Sequence, residues 1–176
     1  MYYTKTPVWK ESSGIITYEL DLQDAQITGL KWISRVEAQD FVLKEGAKDV
    51  LRAPLFQSLT EKLPKSVEVV VYRATFFKKD VLTSHAMRSV AKADGLSRPL
   101  PVVACASREQ LMNRDLKHMG LTRIIFMHKP IKDLRGIPYL LTIRHREAEC
   151  LLTTYNGDRS SSWRYRDDYG FAWIKK

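Results

Sequence analysis

Residues 101–127 read PVVACASREQLMNRDLKHMGLTRIIFM, and the reading of this stretch decides the fold. Pro101–Ala106 is a short apolar run of the kind that forms a buried strand. Ser107 followed by Gln110 makes a capping box, in which the two side chains satisfy each other's end of a helix. The helix so begun ends at Gly120, and Leu121–Met127 is a second apolar run. Strand, helix and strand within 27 residues is the length of a compact βαβ unit. It predicts two parallel strands joined by a right-handed crossover.

Upstream, Ile15–Leu22 alternates Ile16, Tyr18, Leu20 and Leu22 with Thr17, Glu19 and Asp21, which predicts a half-buried strand. A polar turn at Gln23-Asp24 and a second extended run, Gln26–Ile33, complete an N-terminal hairpin. Ser34 and Glu37 form a capping box for a helix running to about Glu45, with Gly46 as its terminator. Pro54 suits a first helical turn, followed by the stripe Leu55, Phe56, Leu59 and Leu63. Val67–Thr75, rich in β-branched residues, predicts a core strand. Lys78–Asp94 predicts a helix with a stripe of small residues (Val81, His85, Ala86, Val90, Ala93), closed by Gly95.

Downstream, Pro130–Pro138 is a turn-rich link, and Tyr139–Arg146 and Ala148–Tyr155 predict two strands. Asn156-Gly157 signals a turn. Tyr169, Phe171 and Trp173 alternate in a last strand. The expected fold is a single α+β (or α/β) domain over residues 1–176. It has a mixed sheet, a central βαβ unit, an N-terminal β-hairpin and antiparallel C-terminal strands, with residues 1–12 as an N-terminal arm.

Composition supports this class. A chain of 176 residues with 44% hydrophobic and 28% charged side chains, 8 Gly and 7 Pro is neither disordered nor of low complexity. No apolar stretch is long enough to span a membrane, and the first residues lack the apolar run of a secretory signal. Cys105 and Cys150 lie far apart among apolar residues and read as reduced thiols. The expectation is a cytoplasmic protein without cofactor or metal. No phosphate-binding glycine loop, CxxC, HxxxH or G-x-S-x-G motif occurs.

Charge is the strongest functional signal. Lys and Arg number 29 against 20 Asp and Glu, a formal net charge of +9. Residues 1–87 hold 12 basic and 11 acidic side chains, whereas residues 88–176 hold 17 and 9, with 11 Arg among the 17. The second half is therefore the expected contact surface for a polyanion, and arginine is the better bidentate and stacking partner.

Two stretches could make that contact. Trp163-Arg164-Tyr165-Arg166 interleaves rings and guanidinium groups after the serines 160–162, as a single-stranded nucleic acid requires for stacking and phosphate contact. The N-terminal Tyr2, Tyr3, Lys5, Trp9 and Lys10 repeat the mix on a smaller scale. The second stretch runs along the βαβ unit and the link after it, where Arg108, Arg114, Lys117, Arg123, Lys129, Lys132 and Arg135 form a basic stripe. Arg114 and Lys117 lie three apart and share a helix face. Each pattern also fits an ordinary solvated surface.

Arg144-His145-Arg146 with Glu147 and Glu149 offers a histidine near carboxylates, although strand alternation puts the arginines on one face and His145 on the other. That favours a charge ladder over acid–base catalysis. Ser84-His85, Cys105 and His118 contain nucleophile and base types at no compelling spacing. Tyr72-Arg73 late in a strand resembles the arginine of some ADP-ribose-transferring enzymes, but without an assignable partner glutamate.

The expected function is nucleic-acid binding, by single-stranded DNA or RNA in preference to a duplex read in its major groove. Trp163, Arg164, Tyr165 and Arg166 lead, and Arg114, Lys117, Arg144 and Arg146 support them. A small enzyme acting on a phosphorylated or anionic substrate, or an interaction module for an acidic protein partner, are the alternatives.

Overall fold

A computed structural model of the chain describes residues 6–59, 63–77, 83–157 and 166–175. Among these residues it is a single mixed α+β domain with ten strands in one sheet and six helices. The strands are β1 (Trp9–Ser12), β2 (Ile15–Asp21), β3 (Val42–Leu43), β4 (Ser66–Arg73), β5 (Leu96–Ser97), β6 (Arg123–Phe126), β7 (Ile131–Lys132), β8 (Pro138–Arg146), β9 (Glu149–Asn156) and β10 (Tyr169–Lys175). The helices are α1 (Gly29–Glu37), α2 (Glu45–Arg52), α3 (Pro54–Leu59), α4 (Ser84–Ala93), α5 (Val102–Gln110) and α6 (Asn113–His118).

The sheet runs β1-β2-β4-β10-β6-β8-β9-β3, with β5 beside β10 and β7 beside β8. β10 enters its middle, antiparallel to β4 and parallel to β6. Both faces of the central strands are covered. On the first face Ile16, Tyr18, Leu20, Val69, Val71, Ile124, Phe126, Leu141 and Leu152 pack with helical residues such as Trp32, Val50, Phe56 and Leu116. On the second, Val70, Tyr72, Ile125, Met127, Phe171 and Trp173 pack with Met87 and Ala91 of α4. The strands expected at β2, β4, β8 and β10 are present, and the residues expected to alternate in β2 and β10 do so, with Ile16, Tyr18 and Leu20 on the first face and Phe171 and Trp173 on the second.

The βαβ reading of 101–127 is overturned. Pro101–Ala106 belongs to α5, not to a strand, and Ser107 sits inside that helix rather than at its cap. Pro101 is tolerated at the helix start, where its missing N–H goes unneeded. Every residue of α5 from Val102 to Gln110 is buried. The helix touches β2 near one end of the sheet and β8 and β9 near the other, so the sheet curls around it. A helix enclosed on all sides loses its polar face, and its apolar run then resembles a core strand.

Four other expectations change. Gln26–Ile33 is not a strand: Thr28 caps α1 by accepting the Lys31 N–H, and Gly29, Trp32, Ile33 and Val36 form its buried stripe. The N-terminal hairpin exists, but β1 is the partner of β2, turning through Ser13 (φ 52°) and Gly14 (φ 77°). The helix expected from Ser34 to Glu45 divides into the last turn of α1 and the start of α2, with Ser34 Oγ donating to the Leu30 carbonyl. In α4 the buried residues are Ser84, Met87 and Ala91, whereas His85 is exposed.

Candidate functional site

The second face of the sheet carries a cluster of arginine and tyrosine beyond the edge of the α4 core. Arg123, at the start of β6, stands opposite Tyr169 on β10 and opposite Arg144 on β8. Its guanidinium carbon lies 5.1 Å from the Tyr169 ring centre and 5.3 Å from that of Tyr155 on β9. Cation–π contacts of this kind contribute about 0.5–1 kcal/mol each at partly exposed sites. Arg123 Nε has no hydrogen-bond partner, and burial lowers the pKa of the group.

Arg123 and Arg144 form a like-charge pair directly across two antiparallel strands, an arrangement that costs stability on its own. Arg146 follows two residues along on the same face, with Glu149 opposite. Arg166 reaches this edge from the start of β10, and its Nε is 3.2 Å from Asp168 Oδ1. The structure thus brings Arg144, Arg146 and Arg166 to one end of the sheet. Trp163, Arg164 and Tyr165 lie outside the described residues.

Arg114 and Lys117 stand elsewhere. They occupy α6, which packs on the first face through Leu116. His145, which points to that face, has its pKa lowered by burial and then by Lys117, while the Leu121 carbonyl accepting from its ring works the other way. The two supporting pairs therefore flank the β8–β9 hairpin from opposite sides. The basic stripe also breaks up: Arg108 is wholly buried, and Arg135 folds back on Asp133, Nε to Oδ2 at 3.0 Å.

The other candidate chemistry is dispersed. Cys105 is enclosed in α5, and burial raises its thiol pKa far above neutrality. His85 and His118 are exposed on α4 and α6. Arg73 donates to both oxygens of Glu11 at 2.6 and 2.8 Å, and Tyr72 donates to Asp94, so this pair ties strands and loops together. Among the described residues no cluster of His, Cys, Asp and Glu is suited to hold a metal ion, and no helix is long and apolar enough to cross a membrane.

Sequence reasoning missed Tyr155 and Tyr169 as partners of Arg123. Their convergence requires β10 to lie beside β6, a pairing that no local pattern announces. No family model, curated protein or solved structure matches this chain.

Proposed function

We propose that this protein binds single-stranded nucleic acid across the second face of its sheet, at the end where β10, β6 and β8 lie side by side. The supporting observation is the Arg123–Arg144 cross-strand pair flanked by Tyr155 and Tyr169. Two guanidinium groups opposed directly across two strands favour an anion, and phosphates supply it. Rings beside them offer stacking planes for bases regardless of sequence. Arg146, Arg166 and the adjoining sequence Trp163-Arg164-Tyr165 extend the same composition. The excess of positive charge in residues 88–176 steers a polyanion to the molecule. Cys105 and Cys150 are unpaired, in keeping with a reducing cytoplasmic setting.

The test is fluorescence anisotropy with labelled oligo(dT), oligo(U) and a duplex, each at low and moderate salt. Single strands are expected to bind more tightly than the duplex, with affinity falling steeply as salt rises. Arg144→Ala should lower the salt slope by about one. Absence of binding at low salt, or an unchanged slope in the Arg144→Ala/Arg146→Ala protein, would refute the assignment. Salt-sensitive binding of an acidic protein in place of oligonucleotides would move the function to protein recognition.

A further inference from the structure

Four consecutive buried polar residues end α5, and three of them have their groups engaged. Ser107 Oγ is 3.0 Å from the Tyr18 hydroxyl. Gln110 exchanges two hydrogen bonds with the Asp21 main chain, at 3.2 and 2.8 Å. Glu109 accepts from Arg35 at 2.6 and 2.8 Å and from Gln39 at 2.6 Å.

Arg108 differs from all three. Its side chain has no exposed surface, Nη2 donates to the Leu111 carbonyl, and Nε and Nη1 have no partner. The carboxylate closest in effect, Asp115, is committed elsewhere: Oδ2 accepts the Met112 N–H at 2.7 Å, and Oδ1 faces Arg114 at 3.8 Å. The Phe41 ring, 5.3 Å from the guanidinium carbon, compensates in part. A buried guanidinium with two idle donors is among the costliest arrangements a core can hold. Such a group calls for an explanation beyond packing.

Directly outside lies a pocket of about 620 Å³. Phe41 lines it and also lies over the Arg108 guanidinium, Met112 adds apolar surface, Glu109 lines it as well, and the exposed Arg114, Lys117 and Glu147 stand at its mouth. It opens on the first-face side of the β8–β9 hairpin, away from Arg144 and Arg146. The charge of Arg108 reaches the pocket through side chains rather than water, and is weakly screened there. The Glu109 charge is already met by Arg35, whereas Glu147 at the mouth opposes a multiply charged ligand.

We propose that this pocket binds a small organic monocarboxylate with an apolar body. Arg114 and Lys117 contact the carboxylate, the body lies against Phe41 and Met112, and Arg108 supplies an attractive field from behind the Phe41 ring. Arg108 is thus retained at a cost to stability because it selects an anion.

The test is isothermal titration of the full chain with 3-phenylpropionate, hexanoate and indole-3-acetate. Each is compared with its neutral amide, and inorganic phosphate serves as a control. At least one acid is expected to bind one to one, about tenfold or more tighter than its amide. In Arg108→Met that preference should vanish while the melting temperature stays level or rises, because an apolar chain replaces an uncompensated charge. Ala148→Trp, on the exposed turn at the mouth, should block binding without changing the melting temperature. Should Arg108→Met fail to fold, the surface variant Arg114→Gln/Lys117→Gln reads the same preference. Equal affinity for acids and amides, no binding by any acid, or a preference intact in these variants would overturn the proposal. Phosphate binding as tightly as the best acid would overturn the carboxylate assignment.

Discussion

The Nε2 atom of His128 accepts the main-chain N–H of Leu141 at 2.8 Å, while Nδ1 lies 2.7 Å from the Lys129 carbonyl. An imidazole therefore stands where a strand carbonyl would, between β6 and β7 along the edge of β8. The arrangement assigns the tautomer: Nδ1 carries the proton and Nε2 is bare. Burial lowers the pKa from 6.5 to about 4, against the smaller opposing effect of the Lys129 carbonyl.

Acid should unfold the protein partly through this residue. The folded pKa lies below the unfolded one, so neutral His128 contributes stability that is full above pH 6.5 and is lost progressively as pH falls toward 4. A drop from 6.5 to about 4 corresponds to roughly 3 kcal/mol at most. Urea titrations at stepped pH should show the decline. His128→Leu should be less stable at neutral pH, with the Leu141 N–H left unpaired, and should show a shallower acid limb. An acid limb of unchanged steepness would assign acid sensitivity to other groups.

Gly29→Ala should be strongly destabilising. A Cβ at Gly29 would lie 1.6 Å from the Leu51 carbonyl oxygen, so α1 and α2 could not keep their contact. Because the obstacle is backbone, no rotamer change relieves it, and a loss of about 3 kcal/mol or more is expected. Thermal melting by circular dichroism measures it. A shift of only a degree or two would mean that the helices separate easily.

Tyr18 and Ser107 offer a clean double-mutant cycle. Both are buried and their oxygens are 3.0 Å apart, joining β2 to α5. Ser107→Ala leaves the Tyr18 hydroxyl without this partner and should cost about 1–3 kcal/mol. Adding Tyr18→Phe should cost less than the sum of the two single changes, with a coupling of about 1 kcal/mol. Additive effects in urea denaturation would show that the contact contributes little.

Tyr155→Ala should separate stability from binding. Loss of one ring against Arg123 removes about 0.5–1 kcal/mol of cation–π attraction and exposes more of the guanidinium. If the sheet face binds single strands by stacking, affinity for oligo(dT) should fall by about 1–3 kcal/mol while the salt slope stays nearly constant. Tyr155→Phe should retain both properties. Anisotropy and melting of the same three proteins give the comparison.

Period-two patterns were legible in the sequence wherever a strand buried one or both faces with large residues, as in Ile15–Leu22 and Tyr169–Trp173. The pair β8 and β9 was legible as two extended runs, the second followed by the turn signal Asn156-Gly157. The apolar run Val102–Ala106 was not, because burial on every side erases the periodicity that separates helix from strand. Gln26–Ile33 misled because Gly29 lowers apparent helix propensity, although its role is to admit the Leu51 carbonyl. For the candidate site, alternation alone placed Arg144 and Arg146 on one face. The meeting of Arg123 with Tyr155 and Tyr169 depends on pairings between distant segments. The burial of Arg108 depends on the curl of the sheet around α5.

The central place of β10 bears on how the chain is made. Until Tyr169–Lys175 leaves the ribosome, β4 and β6 each present an open edge where their neighbour belongs. The two halves of the sheet, β1-β2-β4 and β6-β8-β9, have no strand to join them before then. Exposed edges of that kind invite pairing with other chains. The nascent chain therefore depends on prompt emergence of β10, or on a chaperone, in a way that a chain whose joining strand precedes its neighbours does not.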